Sequence, residues 1–385
     1  MLIACVRLHP LVVPMSRPIK MAGETLIHAQ TLLAGITDEA GRTGWGEAGA
    51  APLMTGETLA SLAASAEHLA SRLPGRTVES ADDIAPLLDE ILYANPSAKA
   101  CLETALMDLL AQRAGMPLHQ WLRGTSPSPV QRLELLHMLA SGDLERELAE
   151  ATELRAQGWR HWKIKVGAGS TASDVTRVAR IAQALAGDVV SADANQALSD
   201  DAALAIARAG AASGLSFLEQ PFRVGRITAM AELHRQTGLA LCADESIQHL
   251  EDIGHHHAAC AAQGASLKLI KLGGTRPLVE AGQLCLAQGM RVNLACKVAE
   301  TTVSAAATAH VGFALGDIAW GFSMSNRYLA EDVCARPLTP HDGAVHAHQL
   351  AAPGLGFAPE AAHLREFASL TLAAREFHDP NPPHR

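Results

Sequence analysis

An α/β chain built on a parallel sheet is what this sequence predicts, from three observations. Asp193, Glu219, Asp244 and Lys268 follow one another at intervals of 26, 25 and 24 residues. Each ends or lies in a short apolar run: Val189–Asp193, Leu215–Glu219, Leu239–Asp244 and Leu267–Ile270, with Trp162–Val166 one step earlier. Between the runs lie Ala-rich segments of helical period, such as Asp200–Ala212 and Thr228–Gln236. A strand plus a helix recurring in this way is the signature of βα units.

Taken in order, the chain opens with strands and turns. Met1–Arg7 and Thr31–Thr37 alternate or run apolar, and Asp38-Glu39-Ala40-Gly41 turns into Gly44-Trp45-Gly46-Glu47. Met15–Thr25, with Pro18 and Gly23, reads as a loop, and so does Ala48–Thr58, which ends on a potential helix N-cap at Thr58. Helices dominate from Leu59 to Gly115, broken at Pro74-Gly75 and Asn95-Pro96. Residues 1–125 therefore form an α+β unit, and Ser126-Pro127-Ser128-Pro129 is the boundary before a second domain over 126–328. Val130–Met138 is its strand 1, followed by a helix over Asp143–Gln157; the runs above are strands 2 to 6. Strand 7 is expected around Met290–Ala295 and strand 8 around Asp317–Gly321, with a helix over Thr301–Ala314 between them. The Pro- and His-rich tail, 329–385, shows no such period.

Bulk properties narrow the function classes. At 385 residues two domains are expected, one of them the size of a barrel of roughly 200–250 residues. A hydrophobic fraction of 48% supplies a large core. The net charge of −9 argues against nucleic acid or anionic membrane surfaces as partners. No apolar run approaches the ~18 residues of a membrane span, and Arg7, His9, Pro10 and Pro14 interrupt the apolar core that a signal peptide needs. Seven scattered cysteines, an odd number with no CxxC, read as a reduced, cytoplasmic protein.

A carboxylate at the end of a buried strand is costly unless a metal or a partner holds it. Asp193, Glu219 and Asp244, at the ends of consecutive strands, converge on one point if the sheet closes into a barrel, on the face where barrel enzymes keep their chemistry. An oxygen-only set without His or Cys suits a hard cation, so Mg²⁺ is favoured over zinc. Each acid could instead cap the next helix, the ordinary role of an acid after a strand; that does not account for all three together with the lysines. Lys165 precedes the acids by one strand and Lys268 follows by one. On strands 2 and 6 of eight, they face a common centre from opposite walls.

Lys163 and Lys165 share a face of their strand, and their repulsion and partial burial are expected to lower one of them toward neutrality, as a general base needs. Glu245 should point away from Asp244 and support rather than coordinate. Lys271 reads as structural or solvated. Three consecutive residues of a helix do not share a face, so His255-His256-His257 reads as solvated surface. Gly167-Ala168-Gly169 and Gly273-Gly274 lack a Walker pattern or a full GxGxxG, which argues against a nucleotide site.

Lys163-Ile164-Lys165, Asp193-Ala194-Asn195, Glu219-Gln220-Pro221, Asp244-Glu245-Ser246 and Leu267-Lys268 with Gly273-Gly274 behind form an ordered set. With the helix Ala98–Leu118 and Pro353-Gly354-Leu355-Gly356, this set resembles the enolase superfamily in its muconate lactonizing enzyme (muconate cycloisomerase) subgroup, over nearly the whole chain. The resemblance implies a (β/α)7β-type TIM barrel with an N-terminal α+β capping domain and a C-terminal tail that packs back on the cap. It implies Mg²⁺, or Mn²⁺, held by Asp193, Glu219 and Asp244, and a homo-oligomer between dimer and octamer. Lys165 would face a small-molecule carboxylate substrate, with Lys163 its electrostatic partner or a carboxylate contact and Lys268 the acid or base on the other face. Glu300 falls where many members carry a substrate-side acid. Trp320 could stack on the ligand, although core is the usual place for a strand-end aromatic. Arg17 or Lys20 could bind a second carboxylate.

The chemistry so implied is removal of the proton α to a carboxylate through a metal-stabilised enediolate. The muconate cycloisomerase-like reaction is the leading expectation. Racemisation or epimerisation of an N-substituted amino acid, cyclic amino acid or dipeptide is the alternative, with acid dehydration behind it. Specificity is expected in Met15–Thr25, Ala48–Thr58 and strands 7 and 8. The Ala48–Thr58 loop resembles that of dipeptide epimerases, but Trp320–Asn326 lacks the Asp-x-Asp with which those enzymes grip an ammonium group; Ile318-Ala319-Trp320-Gly321 instead resembles muconate cycloisomerases.

Overall fold

The computed structural model describes residues 1–21, 24–124 and 130–379. The cap begins with three antiparallel strands, β1 (Ile3–Met21), β2 (Glu24–Asp38) and β3 (Thr43–Gly49). Met15–Thr25 is thus not a simple loop: Ile19, Lys20 and Met21 pair with Leu26, Thr25 and Glu24 beyond a bulge after Pro14. Prolines fit here because Pro10 and Pro14 present their nitrogens to the side of β1 away from β2. On that side Val12 donates to Phe367, and the carbonyls of Pro10 and Pro14 accept from Ser369 and Ala330.

Helices α1 (Leu59–Ala70), α2 (Ile84–Ile91), α3 (Pro96–Arg113) and α4 (Leu118–Arg123) complete the cap. Thr58 caps α1 as expected, accepting from the Ser61 N–H. Helix α3 is buried on nearly every side, between the cap sheet and the barrel. Gly46 makes that approach possible: a Cβ there would lie 1.9 Å from the Cys101 carbonyl oxygen.

The expected boundary at Ser126–Pro129 lies outside the described residues. The expected strand 1 is two short strands, β4 (Arg132–Glu134) and β5 (Leu136–Leu139). Then follow α5 (Leu144–Ala156), β6 (His161–Lys165), α6 (Thr171–Ala184), β7 (Val189–Asp193), α7 (Asp200–Ser213), β8 (Phe217–Glu219), α8 (Ile227–Thr237), β9 (Leu241–Ala243), α9 (Leu250–Ala258) and β10 (Gly264–Leu267). A single turn, α10 (Leu269–Leu272), precedes α11 (Thr275–Ala287), β11 (Arg291–Ala295), α12 (Thr302–Leu315) and β12 (Phe322–Ser323). Strand 8 is therefore later than Asp317–Gly321, because Gly321, at φ +82°, makes the turn into it.

Strands β5 to β12 form one parallel sheet in sequential order, and a parallel bridge from Leu135 to Phe322 draws its two edges together. This is the near-closed eight-stranded barrel the βα spacing implies, with the cap sheet as a separate layer. In the tail, β13 (Ala344–His346) pairs with β4, α13 (Ala361–Glu366) leads to Phe367, and β14 (Arg375–His378) adds to β1 beside the cap sheet.

Candidate active site

The βα register brings the charged strand ends into one row. Lys165 is level with Asp193, and Asp193 with Glu219; Cys242 is level with Glu219, so Asp244 stands two residues further up. Residues alternate across β6, so Trp162 and Ile164 pack outward while Lys163 and Lys165 turn into the barrel. Lys268 follows β10, four strands from β6. All six side chains line one cavity of about 490 Å³, roofed by Ala51–Met54 of the cap.

Cations and anions interlock there. Lys165 Nζ is 2.6 Å from Asp193 Oδ2, and Lys163 Nζ is 2.6 Å from Glu219 Oε2. Lys268 Nζ is 2.5 Å from Asp244 Oδ1. Burial alone would raise Asp193, but Lys165 and Lys163 hold it below the ordinary aspartate value. Asp244 is likewise driven down against its burial by Lys268 and Lys271. In Glu219 burial wins, and the carboxyl is raised despite Lys163. The lysines correct one expectation. Burial pulls Lys163 down, as anticipated, but Glu219 and Asp193 outweigh it, and the ammonium stands above the ordinary value. Lys268 is raised in the same way by Asp244, Glu219 and Glu245.

The donor set fits a divalent cation. Both oxygens of buried Glu219 lack a hydrogen-bond partner, since the short Lys163 contact is an ion pair without hydrogen-bond alignment. A buried carboxylate left so calls for a cation, and Asp193, Glu219 and Asp244 offer only oxygen. Their oxygens do not all gather within 4.8 Å, because lysine ammoniums are interposed; a cation would have to share what the lysines hold.

Other residues fall differently from expectation. Lys271 is structural but not solvated: fully buried, its ammonium meets Asp244 Oδ1 at 2.7 Å, the Asp244 carbonyl at 2.5 Å and the Ser266 carbonyl at 2.9 Å. His256 is buried, on the inner face of α9, with Nε2 3.1 Å from Ser246 Oγ, whereas His255 and His257 are not. Ser246 Oγ and the Asp244 N–H in turn reach Gln220 Oε1, at 2.9 and 2.8 Å, which fixes the turn after β9. Glu245 lines the cavity instead of pointing away; burial, then Asp244 and Asp193, push it up to about 7.

None of the three further substrate contacts lines the cavity. Glu300 accepts from the Gly49 and Lys297 N–H groups and Ser304 Oγ, in a buried network joining barrel to cap. Trp320 stacks on Phe217, rings 3.9 Å apart, near the start of the strands and so at the end opposite the acids. Arg17 is exposed and lies 3.5 Å from Glu150.

The comparisons with known proteins agree with this geometry. Residues 146–363 match the family described as Enolase C-terminal domain-like, and residues 5–123 the Mandelate racemase / muconate lactonizing enzyme N-terminal domain. The chain is 29% identical to chloromuconate cycloisomerase of Cupriavidus pinatubonensis, over 89% of this chain and 92% of that protein. It is 31% identical to L-Lys-D/L-Arg epimerase of Methylococcus capsulatus, over 89% and 95%. Among solved structures, muconate lactonizing enzyme from Pseudomonas fluorescens complexed with muconolactone superposes with a TM-score of 0.88 at 28% identity, covering 96% of this chain and 99% of that one. With both domains matched and the barrel, cap and strand-end charges in place, the chain belongs to the enolase superfamily, in its muconate lactonizing enzyme subgroup.

Proposed function

We propose that this protein is a divalent-metal-dependent isomerase that removes the proton α to the carboxylate of a small molecule, with muconate cycloisomerase-like chemistry as the leading reading. One observation carries it: Lys165 and Lys268 reach a single cavity from strands four apart, with three buried carboxylates on the strands between. Asp193, Glu219 and Asp244 would hold the cation, Mg²⁺ or in its place Mn²⁺. Bound there, it supplies a seat for the substrate carboxylate and offsets the second negative charge that α-deprotonation adds. Lys165 or Lys268 takes the proton on its own side of the substrate, and Lys163 adds positive charge beside Glu219 and Asp193. The remaining walls combine apolar Leu53, Met54, Leu136, Met138, Met324 and Tyr328 with polar Arg223, Lys297 and Ser325. Trp320–Asn326 carries no Asp-x-Asp pair to take an ammonium group, which disfavours a free dipeptide.

Racemisation or epimerisation is the second reading. A lysine on each side favours it, since inversion needs a proton donor on the face opposite the base. The seven free cysteines support a reduced, cytoplasmic setting, and the family resemblance supports a homo-oligomer. The test is a pooled library of muconates, N-acyl and N-methyl amino acids, hydroxyprolines and dipeptides, incubated with Mg²⁺ in D₂O and read by mass and proton NMR. A lactone formed from a muconate establishes the leading reading, and deuterium at an α-carbon with mixed stereochemistry establishes the second. Loss of water points to a dehydratase. A pool with neither lactone formation nor α-exchange in any carboxylate would count against both isomerase readings.

A further inference from the structure

Lys165 is not held only by an acid. Its Nζ donates to Asp193 Oδ2 and to the side-chain oxygen of Asn195, both at 2.6 Å. Asn195 is itself tightly placed. Its backbone is left-handed, at φ +40°, a region asparagine enters more readily than most residues. Its N–H donates to Asp193 Oδ1 at 3.0 Å, and its amide nitrogen donates to Glu245 Oε1 at 3.2 Å. Lysine nitrogen cannot accept from an amide while protonated, and a carboxylate cannot donate while ionised. The amide therefore has one orientation that satisfies both neighbours, with oxygen toward Lys165 and nitrogen toward Glu245.

The consequence lies in the third direction at Nζ. Two acceptors, Asp193 and Asn195, take two of its hydrogens, and the Lys165 side chain is 16% exposed, toward the cavity. In the ammonium that direction carries a proton; in the neutral amine, which keeps two hydrogens on the same acceptors, it carries the lone pair. Asn195 is neutral and outside the set of acids suited to a cation, so it holds the amine in line when Asp193 is shared. Lys268 has no such neutral acceptor: its contacts are both oxygens of Asp244, which Lys271 also engages.

We propose that Asn195, its amide set by Glu245, is a positioning residue that aims the reactive direction of Lys165 at one face of the substrate. The inference rests on the two-lysine reading above, but its first test needs no substrate. In Mg²⁺-loaded enzyme labelled with ¹⁵N-lysine, the Lys165 and Lys268 Nζ signals are assigned through Lys165→Arg and Lys268→Arg. Asn195→Gly keeps the positive φ and removes the amide; Asn195→Asp keeps an oxygen for Lys165. The Lys165 Nζ–H signal is expected to broaden away through faster exchange with water in Asn195→Gly and to survive in Asn195→Asp, with Lys268 unmoved in both. An unchanged Lys165 signal in Asn195→Gly overturns the proposal, and so does simultaneous loss of both signals, which marks a general structural role.

The second readout uses whichever carboxylate exchanges its α-proton in the D₂O pool, as separate enantiomers. Asn195→Gly should slow exchange on the Lys165 face by about a hundredfold, the scale of an ångström-sized misplacement, with much less change on the Lys268 face. Equal slowing on both faces overturns the proposal. A pool in which no compound exchanges and no lactone forms counts against the functional reading, while the ¹⁵N measurement still decides the role of Asn195.

Discussion

Replacing Lys271 with methionine removes three donors from the floor of the site and leaves the volume nearly filled. The lost contacts run to Asp244 Oδ1, the Asp244 carbonyl and the Ser266 carbonyl, all buried. Asp244 keeps Lys268 as a counter-charge, so its carboxylate is weakened in pairing and not abandoned. The Asp244 carbonyl keeps the Ile247 N–H at 3.0 Å, while the Ser266 carbonyl left short of a buried donor costs about 1–3 kcal/mol; with the weakened ion pair the total approaches the roughly 3–5 kcal/mol for breaking a buried pair. At about 2.1 cal/mol/K of unfolding entropy per residue, a chain of 385 residues converts that into a fall of roughly 4–6 °C in Tm. Calorimetry on wild type and Lys271→Met checks it. All three ammonium hydrogens of Lys271 are already committed, so none is available to a substrate. A Tm that does not move while turnover collapses would refute this reasoning, because it would place Lys271 in the chemistry.

Three further outcomes are expected. Lys165→Ala and Lys268→Ala should each lower turnover by about 10²–10⁴ with an unchanged far-UV circular dichroism spectrum; substantial turnover in both variants sinks the two-lysine mechanism. Glu103, from α3, accepts from the Thr275 and Arg276 N–H groups at the start of α11, and burial pushes it up to about 7 from 4.5. Its folded value is the higher one, so the stability it contributes is present below about 4.5 and is lost as pH rises through about 7. The unfolding free energy measured across that window should fall in wild type relative to Glu103→Gln, by at most roughly 3 kcal/mol. Gly46→Ala should cost about 1–3 kcal/mol or more in chemical denaturation, since its Cβ would meet the Cys101 carbonyl backbone and force α3 off the cap sheet.

What the sequence disclosed and what it hid follow one physical division. Asp193, Glu219, Asp244 and Lys268 were legible because the βα unit has a nearly fixed length, so strand-end residues recur in step. Lys163 and Lys165 were legible through the two-residue period of a strand. Features set by the third dimension were not. A lysine four residues past a strand looks like any surface lysine until β9 is packed against it, which is how the burial of Lys271 escaped notice. His256 differs from its neighbours only in facing inward on α9. Pro18 and Gly23 made Met15–Thr25 read as a loop, because nothing local shows that Ile19, Lys20 and Met21 pair with Leu26, Thr25 and Glu24. Trp320 stood beside the correct strand, but which end of the strand it occupied depended on the turn at Gly321. Asn195 sat in view inside a motif; its signal was the pairing of a positive-φ-tolerant residue with an acid two positions earlier.

The arrangement of charge also shows how this chain's own residues offset so costly a set of buried acids. The three acids occupy the middle strands β7 to β9, and lysines flank them on β6 and after β10, so each carboxylate has an ammonium within 2.7 Å. The lysines are thus the acids' counter-ions as well as candidate bases, and the two roles are coupled. A divalent cation held by Asp193, Glu219 and Asp244 would share these oxygens and weaken the attraction that holds Lys163 and Lys268 above the ordinary lysine value. Cation binding would then favour release of an amine lone pair. Neutral Asn195 is not one of the three acids, so Lys165 has one contact that does not draw on those shared carboxylate oxygens.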